Sequence, residues 1–89
     1  MTGEALRLDK YLWFARLARS RAVAQALAEA GHLRINGRVV DRAHAPVRVG
    51  DVLSYAAGGR VRVIRIEAMP ARRGPAAEAR ACYTDLVPE

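Results

Sequence analysis

Eighty-nine residues carrying 15 Lys and Arg against 9 Asp and Glu, for a net charge of +6 and a pI near 10.7, allow one domain and point to a polyanionic partner. A domain this small buries roughly 60 to 65% of the surface its unfolded chain exposes, which argues against a deep catalytic cleft. Cys82 stands alone, so an internal disulfide and a thiolate zinc framework are excluded, and no stretch approaches the roughly 18 apolar residues of a membrane span.

Met1-Thr2-Gly3-Glu4 lacks the basic start and apolar run of a secretion signal, which makes the cytoplasm the expected compartment. Leu8, Tyr11, Leu12 and Ala15 then recur at the i, i+3, i+4, i+7 spacing of one helical face and predict an amphipathic helix from Leu8 to Leu17. Asp9 in its first turn and Arg16 near its last suit the helix dipole. Ser20 opens a second helix that runs to about Ala30, and Gly31 supplies its left-handed stop. Val23, Leu27 and Ala30 are read as its inward face, with Arg21, Gln25 and Glu29 on another.

After Gly31 the period becomes two, with Leu33 and Ile35 on one side and His32 and Arg34 on the other. Asn36-Gly37 tolerates the two positive φ angles of a type I′ turn, so Arg38-Val39-Val40 is expected to fold back on Leu33-Arg34-Ile35. Pro46 and Gly50-Asp51 interrupt the next stretch, Val52 to Tyr55 reads as a short strand, and Arg60 to Ile66 as the longest one. The alternation of that strand slips between Val61, Val63 and Ile64, Ile66, for which a bulge or two-sided burial near Val63 would account. Beyond Pro70, Arg72-Arg73-Gly74 is a basic loop and Pro75 suits the first position of a helix to about Tyr83.

Few side chains suit catalysis. Ser20 is better explained as a helix cap than as a nucleophile, and His32 and His44 are separated by a hairpin with no acidic residue completing a metal spacing. Asp41 and Asp51 adjoin turns, where carboxylates cap local backbone. No enzyme, metal or cofactor is expected. The charge, by contrast, is clustered: Arg7, Lys10, Arg16, Arg19 and Arg21 are opposed locally only by Asp9, and Arg34 and Arg38 flank the hairpin turn. The Ser20-Arg21 helix start adds free amides and a partial positive charge suited to phosphate.

Arg7-Leu8-Asp9-Lys10, Ser20-Arg21, Ala24, Leu27, Gly31, Leu33, Ile35-Asn36-Gly37 and Val40 resemble, in order and spacing, the RNA-binding domain of the ribosomal protein S-four type, also called the αL motif. The match spans Arg7 to about Tyr55. Within that family, Tyr11-Leu12-Trp13-Phe14-Ala15-Arg16 and Arg72-Arg73-Gly74-Pro75 are similar to the free-standing, ribosome-associated fifteen-kilodalton heat-shock members. The chain ends at Glu89, without the long basic tail of that group.

The resemblance implies an α+β fold, with two packed N-terminal helices against a small, mostly antiparallel sheet with hairpins, plus a short C-terminal helix. It implies an RNA-binding domain over residues 1–67 and an extension over 68–89. Its RNA face would be Arg7, Lys10, Arg16, Arg19, Ser20, Arg21, Gln25, Arg34 and Arg38, with backbone help at Asn36-Gly37. The implied partners are large-subunit ribosomal RNA and transfer RNA on stalled subunits, in heat-shock-related rescue. Trp13 and Phe14 are expected to be buried rather than stacked on bases. The competing readings are an accessory module for RNA modification, an adaptor for an acidic protein and a binder of duplex DNA, although the Asn-Gly hairpin has no place in the last.

Overall fold

The computed structural model describes residues 4–86; the Met1-Thr2-Gly3 start and the Glu89 end, both read above, lie outside the described residues. In chain order the elements are β1 (Leu6–Arg7), α1 (Leu8–Phe14), α2 (Arg21–Glu29), β2 (Leu33–Ile35), β3 (Arg38–Val40), β4 (Pro46–Val47), β5 (Val52–Ala57), β6 (Arg60–Ile66), α3 (Ala76–Arg80) and β7 (Tyr83–Asp85). The fold is α+β, as expected. An antiparallel sheet of order β3-β2-β5-β6-β7 carries the core on one face, and β1 and β4 form a separate two-stranded ladder.

Strand alternation selects the buried set. Leu33, Leu53, Tyr55, Ile64 and Ile66 point from the sheet into a core completed by Leu8, Tyr11 and Leu12 of α1 and by Ala24 and Ala28 of α2. The inward face of α2 is therefore Ala24 and Ala28 rather than the expected Val23 and Ala30, which are exposed; Leu27 is half-buried. Methyl-sized side chains at i and i+4 let α2 pack closely on α1, and Val23, about 100° around the helix from Ala24, is exposed.

Helix α1 stops at Phe14, three residues short of the expected Leu17. Arg16 adopts φ 59, its N–H donates to the Trp13 carbonyl at 3.1 Å, and the Leu17 N–H donates to the Leu12 carbonyl at 2.9 Å. That pair of bonds is a Schellman ending, with an arginine where glycine is usual. Helix α2 and the hairpin follow their local signals: Ser20 caps α2, Gly31 turns with φ 81, and Asn36 and Gly37 take φ 53 and 84.

Of the two accounts of the β6 alternation, burial on both faces is the one observed, while the bounds of α3 differ from expectation. Strands β5 and β6 pair without interruption from Val52↔Arg65 to Ala57↔Arg60, so no bulge occurs; Ile64 and Ile66 face the core while Val61 is exposed and Val63 half-buried on the other face. Pro75 is the N-cap of α3, not its first residue, and α3 ends at Arg80. Tyr83 then begins β7, which adds to the edge of β6 through Ile66↔Tyr83 and Ile64↔Asp85.

Tyr11 ties this last segment to the first helix. Its buried hydroxyl donates to the Cys82 carbonyl at 2.9 Å, and burial pushes the phenol's pKa up. That carbonyl also accepts from the Glu67 N–H at 2.8 Å, so Tyr11→Phe leaves it partnered. The variant is expected to lose about 1 kcal/mol and to melt roughly 4–8 °C lower, measured by circular dichroism. An unchanged melting temperature would show that the hydroxyl contributes nothing.

Candidate nucleic-acid interface

The cationic cluster is organised by an acid. Asp9 is fully buried, and among the described residues it is the buried charged side chain. Arg7, the residue before α1, donates from Nε to Oδ1 at 3.0 Å and from Nη2 to Oδ2 at 3.1 Å, and the Lys10 N–H donates to Oδ1 at 2.8 Å. Burial alone would raise the carboxyl's pKa. The hydrogen bonds and charge of Arg7, the Lys10 amide and the positive charge of Arg21 outweigh it and hold Asp9 below the ordinary carboxylate value. One carboxylate thus sits beside cations from the starts of both helices. The sequence marked Asp9 as a partner of the helix dipole and as the one acid opposing the basic cluster; its i, i+2 spacing from Arg7 was the available signal for the pair.

At the start of α2, the Ser20 Oγ accepts from the Val23 N–H at 3.1 Å. Arg19, Arg21 and Gln25 are exposed around that half-buried cap. The Arg21 guanidinium lies 5.7 Å from the centroid of the Trp13 ring, within cation–π range. Arg73, which the sequence showed only as part of a basic loop, lies 5.4 Å from the same ring. Trp13 is half-buried against the core and tilted on Phe14 at 5.7 Å. Arg16 joins this region differently, because its left-handed backbone directs Nε to the Gly74 carbonyl at 2.6 Å. Two arginine contacts thereby fasten the Arg72–Gly74 loop to α1, and Arg21 shares the indole with that loop.

Arg7, Arg19, Ser20, Arg21 and Gln25 consequently gather about the two helix starts, whereas other expected site residues lie apart. Lys10 is half-buried and lines a groove with Phe14, Leu6, Met69 and Pro70. Arg34 and Arg38 stand on opposite faces of the hairpin, since Ile35 pairs with Arg38 and Arg34 with Val39. Ile35 packs on the core, so Arg38 shares the core side and Arg34 the outer side. Asn36 is occupied internally: Oδ1 accepts from the Val52 N–H at 2.8 Å, Nδ2 donates to Asp51 at 3.0 Å, and its own N–H donates to the Val52 carbonyl at 2.7 Å. The Gly37 carbonyl accepts from Arg34 Nη1 at 3.2 Å.

Chemically the surface offers binding groups. Among the described residues no cluster of three His, Cys, Asp or Glu could hold a metal ion. The Cys82 thiol is buried, and burial followed by the nearby Glu78 charge pushes its pKa up, away from the reactive thiolate. No helix among the described residues is long and apolar enough to cross a membrane.

Comparison with known proteins gives a consistent picture. The S4 domain matches residues 6–53. The Heat shock protein 15 homolog of Haemophilus influenzae is 33% identical over 85 residues, covering 96% of this chain and 64% of that protein. Small ribosomal subunit protein uS4 of Opitutus terrae is 44% identical over 45 residues, 51% of this chain and 22% of the relative. The chain therefore spans less than two thirds of the length of these relatives. The trimeric structure of Vibrio cholerae Heat Shock Protein 15 superposes with a TM-score of 0.84 at 32% identity, covering 92% of this chain and 82% of that one.

Proposed function

Because this chain belongs to the S4 domain family, we propose that it is a non-enzymatic binder of structured RNA, with residues 1–67 as the binding domain and 68–89 as an extension whose short helix packs on it. Its target in this reading is large-subunit ribosomal RNA in the cytoplasm, met during heat-shock-related rescue of stalled subunits that carry transfer RNA. The likeness to Heat shock protein 15 over nearly the whole chain supports that finer assignment.

The observation that carries the proposal is the cationic ring around Asp9 and Ser20. Arg7 is hydrogen-bonded to one buried carboxylate, Arg21 adds a second positive charge near it, and Arg19 stands beside a helix start whose dipole favours anions. Guanidinium forks match phosphate oxygens, and their fixed placement lowers the ordering cost of each contact. Arg34 and Arg38, on opposite hairpin faces, cannot both join one flat contact, so an RNA that reaches both wraps the hairpin.

Salt tests the proposal directly. With roughly four to six phosphates neutralised, log K for a ribosomal RNA fragment is expected to fall against log salt with a slope of about −3 to −5. Fluorescence anisotropy over a range of potassium chloride concentrations measures it, and a slope near zero would refute phosphate-dominated binding. Nucleoside mass spectrometry of the RNA recovered from the same mixtures is expected to show no new base; a modification dependent on this protein would restore the enzyme reading.

A further inference from the structure

The end of the β2–β3 hairpin and the chain leading to β5 enclose a second basic feature, a cleft of about 350 Å³. Arg38 opens β3, Arg42 follows its end by two residues, and Arg48 follows β4; all three are exposed and line the cleft. None of the three guanidinium groups hydrogen-bonds or pairs with another described residue. Asp51, the cleft's own carboxylate, offsets one of the three charges and leaves an excess of two, and it pairs with none of the three guanidinium groups. Oδ1 accepts from Asn36 Nδ2 at 3.0 Å, and Oδ2 accepts from the Arg48 N–H at 2.9 Å. Asp41 adjoins Arg42 in the chain but does not line the cleft.

Three guanidinium groups beside a single carboxylate leave the cleft with an excess of positive charge that a further anion would relieve. The rest of the lining has a different character: Ile35 and Val40 are half-buried and Ala45 is buried, which makes an apolar wall. Arginine forks beside an apolar wall match a phosphate joined to a flat, weakly polar ring. RNA offers that combination where a nucleotide leaves the stack, and proteins read RNA chiefly at such unstacked positions. A base inside a paired helix could not enter.

We infer that this cleft takes one unstacked nucleotide of the bound RNA, its phosphate on Arg38, Arg42 and Arg48 and its base against Ile35 and Val40. The inference rests on the reading of the chain as an RNA binder and adds Arg42 and Arg48 to it. It extends the contact surface from the helix starts around the core side of the hairpin.

The test uses the full chain, a ribosomal RNA hairpin bearing a 4-thiouridine-substituted loop, and the variant Arg42→Ala/Arg48→Ala. Loss of two of the three forks on that phosphate is expected to weaken binding tenfold or more and to make the salt slope shallower by up to about 0.7. Crosslinked wild type is expected to yield labelled peptides within residues 35–51. Arg60→Ala/Arg65→Ala removes equal charge from β6 and is expected to weaken binding less than threefold. Thermal melts confirm folding, and Arg42→Lys/Arg48→Lys, which keeps the charge, is expected to recover part of the affinity. Wild-type affinity and slope in the alanine variant, or equal losses in the β6 control, would overturn the cleft assignment while leaving the RNA reading intact. Uridine monophosphate separates a free nucleotide from the polymer: perturbation of cleft resonances by the nucleotide, with no RNA crosslink there, would also overturn it. Absence of any salt-dependent RNA binding by the wild type would refute both.

Discussion

Replacing both Arg19 and Arg21 by Ala is expected to weaken binding to ribosomal RNA roughly a hundredfold or more. Each charge-assisted contact to phosphate contributes on the order of 1.5 to 3 kcal/mol, and these two residues flank Ser20 at the mouth of α2. The fold should tolerate the change. Both side chains are exposed, and the core of Leu8, Leu12, Leu33 and Leu53 is untouched. Arg21 does give up its place over Trp13, an exposed cation–π contact that contributes about 0.5 to 1 kcal/mol. Binding isotherms and melts on the same preparations separate the two effects. Arg60→Ala/Arg65→Ala supplies the comparison for net charge, and equal losses in both double variants would mean diffuse attraction instead of a localised grip.

The second large effect concerns Asp9. Asp9→Ala removes the two hydrogen bonds from Arg7 and the one from the Lys10 N–H, and is expected to cost about 2 kcal/mol at neutral pH. For a domain of this size that corresponds to a melting temperature roughly 8–16 °C lower. Because the fold holds this carboxyl below its ordinary value, the stability it contributes is complete above the unfolded value of about 4 and drains away as pH falls through the folded value. Wild type should therefore lose stability in acid more steeply than Asp9→Asn, which cannot ionise. Arg7 loses its ion pair in either variant, and Arg21 loses a nearby counter-charge, so RNA affinity should drop several-fold as well. Identical acid melts for wild type and Asp9→Asn would show that the carboxylate's charge is idle.

Local chemistry made some of this molecule readable in advance. Ser20, Gly31 and Asn36-Gly37 act on their own neighbours, through a cap, a left-handed stop and a two-residue turn, so α2 and the first hairpin follow from a few adjacent residues. What escaped reading depends on distant partners. The early end of α1 leaves Arg16 left-handed and bonded to Gly74, 58 residues away, and nothing within Leu8–Leu17 announces that loop. Strand β7 has no hairpin turn beside it; it exists because β6 offers an open edge. Val23 was read on the same face as Leu27, whereas the buried positions of α2 are Ala24 and Ala28. The split between Arg34 and Arg38 was legible, since a two-residue turn fixes which residues face each other, but nearness in sequence was taken for a shared face.

The position of β7 bears on how the molecule assembles. The sheet order β3-β2-β5-β6-β7 means that the last strand among the described residues seals β6, and the Tyr11 bond to Cys82 spans 71 residues. Contacts between such remote segments form late, after the entropy of closing the intervening loop has been met. On a ribosome still translating residues 83–85, β6 therefore carries unpaired N–H and C=O groups open to strands of other nascent chains. Pairing of residues 83–85 with β6 closes that edge, and truncation just before Tyr83 is expected to increase self-association, read by light scattering.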